Sequence, residues 1–569
     1  MAGLTPLDFA VILFYLAGIT CIGLRASKSV KDVGDFFMGG RRFGKLLMMV
    51  KAFSVGTRAD QAVAVTGASY QVGLSGVWYQ WLYIFSTPFY WIIAPIYRRL
   101  RYLTTGDFFE QRYGKAAGAL YTFVALLFFS VEIGMVLRGT GTTVEALTKG
   151  QIPANLTIFV ATAVFVSYSA AGGLVAAVKT KLLQGAMLVI LSLLLLPFAF
   201  SEAGGFAGLH QKLAPEMFSL VAKFEVTLFF ITMVTINALV GVVAMPHHTA
   251  IGGAGKSEIS CRTGWTYGNI VKRFVTLCWA FTGLFALALY PGLAEAEREQ
   301  AFGMMILNLL PAGLVGLMIA AMVASLMAVC DAYMIDGSAL FTRNFYRKFF
   351  ASSSREEHEM KVARWSSILV VGAGILFALV LSDVVSGLKF IWKIMAFMGI
   401  PFWMAIFWRR GNRYGLWVSV MVTSTLSFYT QSRDWPIENQ IALYLPAGVL
   451  AFIIASLLTK PEPEEKLRAF YTLLHTPVGE EYKLRNAGIE IIHQGGSYAG
   501  PVPRPSGFAP APTESLEEKG HALLLVDLLD LPKTFSFKRY RIDILGFMAA
   551  WGLVAGIILV AVLLARIGA

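Results

Sequence analysis

Apolar runs dominate the chain, and most are about 20 residues long, the helix length that crosses roughly 30 Å of hydrocarbon. They fall at 7–25, 46–74, 76–97, 117–138, 153–170, 182–200, 226–245, 266–290, 304–340, 363–382, 386–408, 414–430, 441–459 and 543–566. About fourteen such runs joined by polar stretches predict an all-α polytopic membrane protein. Two runs depart from the pattern. The run 46–74 carries Ser54-Val55-Gly56-Thr57-Arg58-Ala59-Asp60-Gln61 at its middle. A charge at bilayer depth is costly unless paired or wetted, so Arg58 and Asp60 mark a functional site. Gly56 among small polar residues predicts a locally unwound helix, tolerated at that depth only where it lines a cavity. The run 304–340 is too long for one straight crossing and contains Asp331 and Asp336.

Composition agrees with the pattern. Of 569 residues, 56% are hydrophobic and 15% charged, against about a quarter charged in soluble domains. The net charge of +13 invites a nucleic-acid reading, but the basic residues cluster between apolar runs. That is how loops on the inner side of a membrane look, and it argues against nucleic acid as a partner. An N-terminus outside puts the basic clusters at 25–45, 98–112, 256–263, 343–364 and 409–413 all inside. The four cysteines show neither disulfide nor zinc spacing. Residues 7–25 lack the flanks of a cleavable signal peptide.

The runs divide the chain into a first helix and inner loop (1–45), five spans (46–201), an outer loop (202–225) and five more spans (226–410). Two further helices (411–460), an inner, partly disordered region (461–542) and a last helix (543–569) follow. Five spans after five fit an inverted repeat. Within 461–542 an amphipathic stretch at 464–474 precedes a Pro/Gly/Ser-rich linker at 495–513.

Short motifs give the pattern a family. Asp35-Phe36-Phe37-Met38-Gly39-Gly40-Arg41-Arg42 follows the first span, and 102–114, with Thr104-Thr105-Gly106-Asp107, follows the third. Ala171-Gly172-Gly173-Leu174, with Gln184, joins the fifth and sixth. Leu309-Leu310-Pro311-Ala312-Gly313-Leu314 enters the long run, which ends at Arg343-Asn344-Phe345-Tyr346. Together, over about residues 7–460, they resemble the sodium:solute symporter family. The resemblance implies a LeuT-like five-plus-five core in a plasma (inner) membrane and a small polar solute, such as an organic acid, amino acid or sugar. It further implies alternating access, uptake driven by sodium, no cofactor and no enzymatic activity.

The family's sodium positions read differently here. By resemblance the ion meets backbone of the broken span near Thr57 and Asp60, and a pair of adjacent hydroxyls on the long span. That pair falls on Ala328-Val329, which have no side-chain oxygen, with Ser325 one turn earlier. The family's Thr-Asp reads Thr180-Lys181. These departures make sodium a doubtful coupling ion. They point to a fixed cation, Arg58, paired with Asp60 or Asp331, in a sodium-independent or proton-coupled transporter or exchanger. The expected substrate and coupling site is therefore Thr57, Arg58, Asp60, Gln61, Trp78, Gln80, Lys181 and Asp331. Lys51, Glu132, Arg138 and Lys393 are further buried charges, and several inward cations favour an anionic solute. A solute sensor signalling through 461–542 is the remaining alternative; that region carries no output motif.

Overall fold

The computed structural model describes residues 4–27, 41, 43–222, 226–294, 298, 300–350, 356–380, 384–489 and 523–569. Motif residues 35–40 and 42, and the Pro-rich stretch 495–513, lie outside the described residues. Within them the regular elements are helical, with one isolated parallel bridge, Phe43 to Gly255. All fourteen apolar runs contain helix, and nine helices among the described residues are long and apolar enough to cross a membrane.

The principal helices are α1 (Pro6–Ser27), α2 (Lys45–Gly56), α3 (Ala59–Val72), α4 (Tyr90–Leu100), α5 (Lys115–Leu147), α6 (Ala154–Leu193), α7 (Leu228–Val242) and α8 (Glu258–Leu289). They continue as α9 (Leu314–Leu340), α10 (Glu356–Val380), α11 (Val384–Phe407), α12 (Arg413–Gln431), α13 (Ile437–Leu458) and α14 (Arg541–Leu564). α6 serves two spans because Gly173, at φ 50° and ψ −145°, turns the chain between its arms. The long run 304–340 is likewise two helices. Pro311 and Gly313, the latter at φ 86°, separate Gln300–Leu309 from α9.

α9 is the central post. Almost every residue on it is buried, as expected of a helix apolar on all faces, and it packs against α6, α5, α1 and α10. Its start is held by Asp8 of α1, whose carboxylate accepts from Gly313 N and Gly316 N at 2.7 Å each. α8 lies along α2 and α3.

Two helices are broken near their middles, one opening each half. The first is α2–α3. The second, which the hydrophobic pattern does not reveal, is α7 followed by His248–Gly253. Pro246 stops α7, and the carbonyls freed by the break find side-chain donors. His248 Nδ1 meets Val242 O (2.6 Å), Tyr121 OH donates to Ala244 O (2.6 Å), and Tyr97 OH donates to Val243 O.

The amphipathic stretch folds as the helix Glu464–His475 and docks on the core. Phe470 packs edge-on against Phe108, and Tyr471 OH donates to Ala405 O (2.8 Å).

Candidate functional site

At the first break, helical geometry stops after Gly56, and Thr57 and Arg58 are extended (φ/ψ −107°/123° and −137°/149°). A glycine followed by a β-branched residue gives little resistance to unwinding. The reopened end is capped from outside, since Ala59 N donates to Ser325 Oγ of α9 at 2.7 Å. The break thus rests on α9, where the resemblance places the ion.

Arg58 does not reach Asp331. Its guanidinium is buried and ion-paired twice, to Asp60 (3.0 Å) and to Glu132 of α5. Two carboxylates hold it between α3 and α5. The cation beside Ala328 is Lys181 instead. Its ammonium, with no solvent exposure, donates to Ala328 O at 2.6 Å and to Asp331 Oδ1 at 3.0 Å. Tyr168 OH bonds Asp331 Oδ2 (3.4 Å) and accepts from Gln184 Nε2 (3.3 Å). Arg58 thus has the expected Asp60 as partner, but the cation at Ala328 and Asp331 is Lys181, and the assignment of Arg58 to that position is corrected. A guanidinium this close to two carboxylates pairs locally, whereas a lysine stem from α6 spans the gap to α9.

On the α9 side of that position the oxygens are engaged, while Thr57 Oγ1 and Asp60 Oδ1 of the break have no hydrogen-bond partner among the described residues. Ser325 Oγ accepts from Ala59 N, Ala328 O accepts from Lys181, and Val329 is fully buried with no side-chain oxygen. At Ala328, where the resemblance expects a sodium-binding hydroxyl, the Lys181 ammonium stands instead.

Beside the break lies a cavity with about 690 Å³ of space unoccupied by protein atoms. Arg58, Gln61, Gln80 and Glu132 line it, together with His247, His248, Lys272, Arg273, Tyr333 and Trp392. It lies between the two broken helices, with walls from α5, α8, α9 and α11. Arg273 donates to Gln80 O (3.1 Å) and Thr87 Oγ1 (3.3 Å) and lies over the Tyr83 ring.

Of the expected residues, Arg58, Gln61 and Gln80 meet in this cavity, with Asp60 joined through Arg58. Lys181 and Asp331 come together outside its lining. Thr57 is fully buried with its hydroxyl unpartnered. Trp78 is turned away: its Nε1 donates to Leu220 O at 2.7 Å, and its ring packs on Trp81 and Phe85. Glu132 pairs across helices with Arg58 rather than with Arg138. The break also removes the shared face of Lys51 and Arg58, and Lys51 Nζ donates to Ala250 O (2.8 Å). Lys393 binds Gln431 and Gln440 of the outer helices. Sequence reading missed Lys272 and Arg273, although two adjacent cations inside the run 266–290 were the signal. His247 and His248, just past the run 226–245, also line the cavity.

An all-helical core opened by two broken helices around a polar cavity defines a membrane transporter of the LeuT-like kind. The comparisons agree. The profile of the sodium:solute symporter family matches residues 36–423, and the chain belongs to that family. It is a multi-pass secondary transporter of the sodium:solute symporter type and not an enzyme. Rabbit (Oryctolagus cuniculus) sodium/glucose cotransporter 1 is 25% identical, covering 86% of this chain and 84% of its own. The sodium/pantothenate symporter of Haemophilus influenzae is 25% identical over 74% of this chain and 90% of its own. The osmoregulated proline transporter OpuE of Bacillus subtilis is 22% identical over 80% and 96%. A solved Na+-coupled sialic acid symporter, substrate-bound and outward-open, shares the fold with TM-score 0.66 at 21% identity, over 80% of this chain and 98% of that one.

Proposed function

We propose that this protein moves a small polar solute through the central cavity by alternating access without binding sodium. The observation that carries the reading is the Lys181 ammonium between Ala328 O and Asp331, fully buried. A permanent cation there holds α6 to α9, as an ion would, but it cannot dissociate. An electrochemical sodium gradient then has nothing to act on. The solute gradient, or exchange against another solute, drives transport. Proton coupling is a second reading, favoured by the Lys181–Asp331 pair, across which a proton can shift.

The transporting core comprises the repeats 46–201 and 226–410, in a plasma membrane with the N-terminus outside and 461–542 inside. The basic clusters at inner loops support that orientation. A tag at the N-terminus, labelled by an impermeant reagent in intact cells, checks it.

Uptake into proteoliposomes with sodium replaced by choline, repeated across pH, tests the coupling. Uptake unchanged in choline supports the fixed ammonium, and pH-gradient dependence selects proton coupling. Uptake abolished by choline sinks both readings. Binding with no flux in any condition would favour a sensor.

A further inference from the structure

Five buried cations surround the two broken helices: Lys51, Arg58, Lys181, Lys272 and Arg273. Four are committed. Lys51 bonds Ala250 O, Lys181 bonds Ala328 O and Asp331, Arg58 is paired twice, and Arg273 bonds Gln80 O and Thr87 Oγ1. Lys272 is different. It lines the cavity and is 5% exposed, and its ammonium makes no hydrogen bond or ion pair with any described residue. Its stem runs beside Gly56, where an added Cβ would stand 3.5 Å from Lys272 Cδ. That is ordinary van der Waals contact, so the lysine stem packs directly on the end of α2.

By formal charge, the ionisable groups around the cavity do not cancel. Arg58, Lys272 and Arg273 face two carboxylates, Asp60 and Glu132, which leaves one positive charge in excess. Burying an unpartnered ammonium is costly unless something arrives to pair with it. On the reading that this cavity is the translocation site, we infer that Lys272 anchors the solute, and that the solute is a small monocarboxylate. Its carboxylate pairs with Lys272, and its apolar or aromatic body lies against Phe128, Ile391 and Trp392. A second negative charge on the solute would meet the carboxylates of Asp60 and Glu132 that hold Arg58 beside the cavity. Gln61 Oε1 and His247 Nδ1 have no partner and are free to meet a polar substituent. Specificity thus divides in two, with charge set by Lys272 and body size by the aromatic wall.

The test is calorimetric titration of the purified full-length protein in detergent. The probes are acetate to hexanoate, pyruvate and benzoate, each compared with its primary amide. At least one acid binds, its amide binds at least about tenfold more weakly, and Lys272→Gln erases that preference. Lys272→Arg keeps the charge and retains the preference. The proposal is overturned if no acid binds, if acid and amide bind alike, or if Lys272→Gln still prefers the acid. Should Lys272→Gln not fold, loss of the preference in Lys272→Arg overturns it instead. Titration reads binding without flux, so its failure leaves the sodium-independent reading standing. Conversely, sodium-dependent uptake of an acid overturns only the fixed ammonium.

Discussion

Lys181 and Asp331 form an ion pair with both side chains at 0% exposure. A pair this deep is no free gain, because both ions lose their hydration. Its value is specificity, since it ties α6 to α9 at one register. Removing one partner strands the other. Lys181→Ala is expected to lower stability by about 3–5 kcal/mol, read as earlier thermal unfolding in detergent. Lys181→Met with Asp331→Asn removes both charges and should recover most of that loss. A double variant as unstable as the single one would show that the pair is not what the single change breaks. The sequence announced the substitution, a lysine where the family has an acid. It did not announce the partner, because Lys181 and Asp331 lie 150 positions apart.

Among the elements, the first broken helix was legible and the second was not. Gly56, Thr57 and two charges interrupt an apolar run visibly. α7 ends at a proline that reads equally well as the edge of a loop, and only packing shows that His248–Gly253 continues the crossing. The helix Glu464–His475 shows the reverse: its amphipathic pattern gave the helix, while docking depends on neighbours. Glu462, just before it, accepts from Arg413 N and Nε (3.0 Å each) and from Lys466 Nζ (3.1 Å). Burial pushes its carboxyl up, but the Arg413 hydrogen bonds and the Lys466 charge outweigh that and hold its pKa below the ordinary value. The carboxylate's contribution to docking is then complete above the unfolded pKa and is lost as pH falls through the lowered folded value. Amide exchange of 464–475, corrected for intrinsic rates, should be slow at neutral pH and faster below about pH 4. Glu462→Gln should show the faster exchange at neutral pH; unchanged protection there would count against this role.

At the scale of the whole molecule, the C-terminal helix is joined to the core, among the described residues, by one buried ion pair, a set of rings and a buried apolar face. Asp543 pairs with Arg262 of α8, Trp91 Nε1 donates to Ile542 O (2.9 Å), and Phe89 meets Phe547 and Trp551. Arg262 also lies 5.7 Å from the Trp91 ring centroid. Asp543→Ala leaves Arg262 buried without its carboxylate, an expected loss of about 3–5 kcal/mol. Cleavage by a site-specific protease inserted at 510 should then release the last helix from the variant in mild detergent. The unaltered chain, cut at the same place, should keep it.

The sequence by itself determined the order of the apolar runs, the first break and the family. These are local matters of run length, hydrophobic period and motif spacing, and they survive without knowing any neighbour. Tertiary structure decided which charges meet. Arg58, the most conspicuous residue of the break, is claimed by two carboxylates. Lys181 takes the place assigned to Arg58, and Lys272, visible in its apolar run only as a stray charge, lines the cavity. Pairing is settled by which side chains reach one another across helices, and distance along the chain carries no such information.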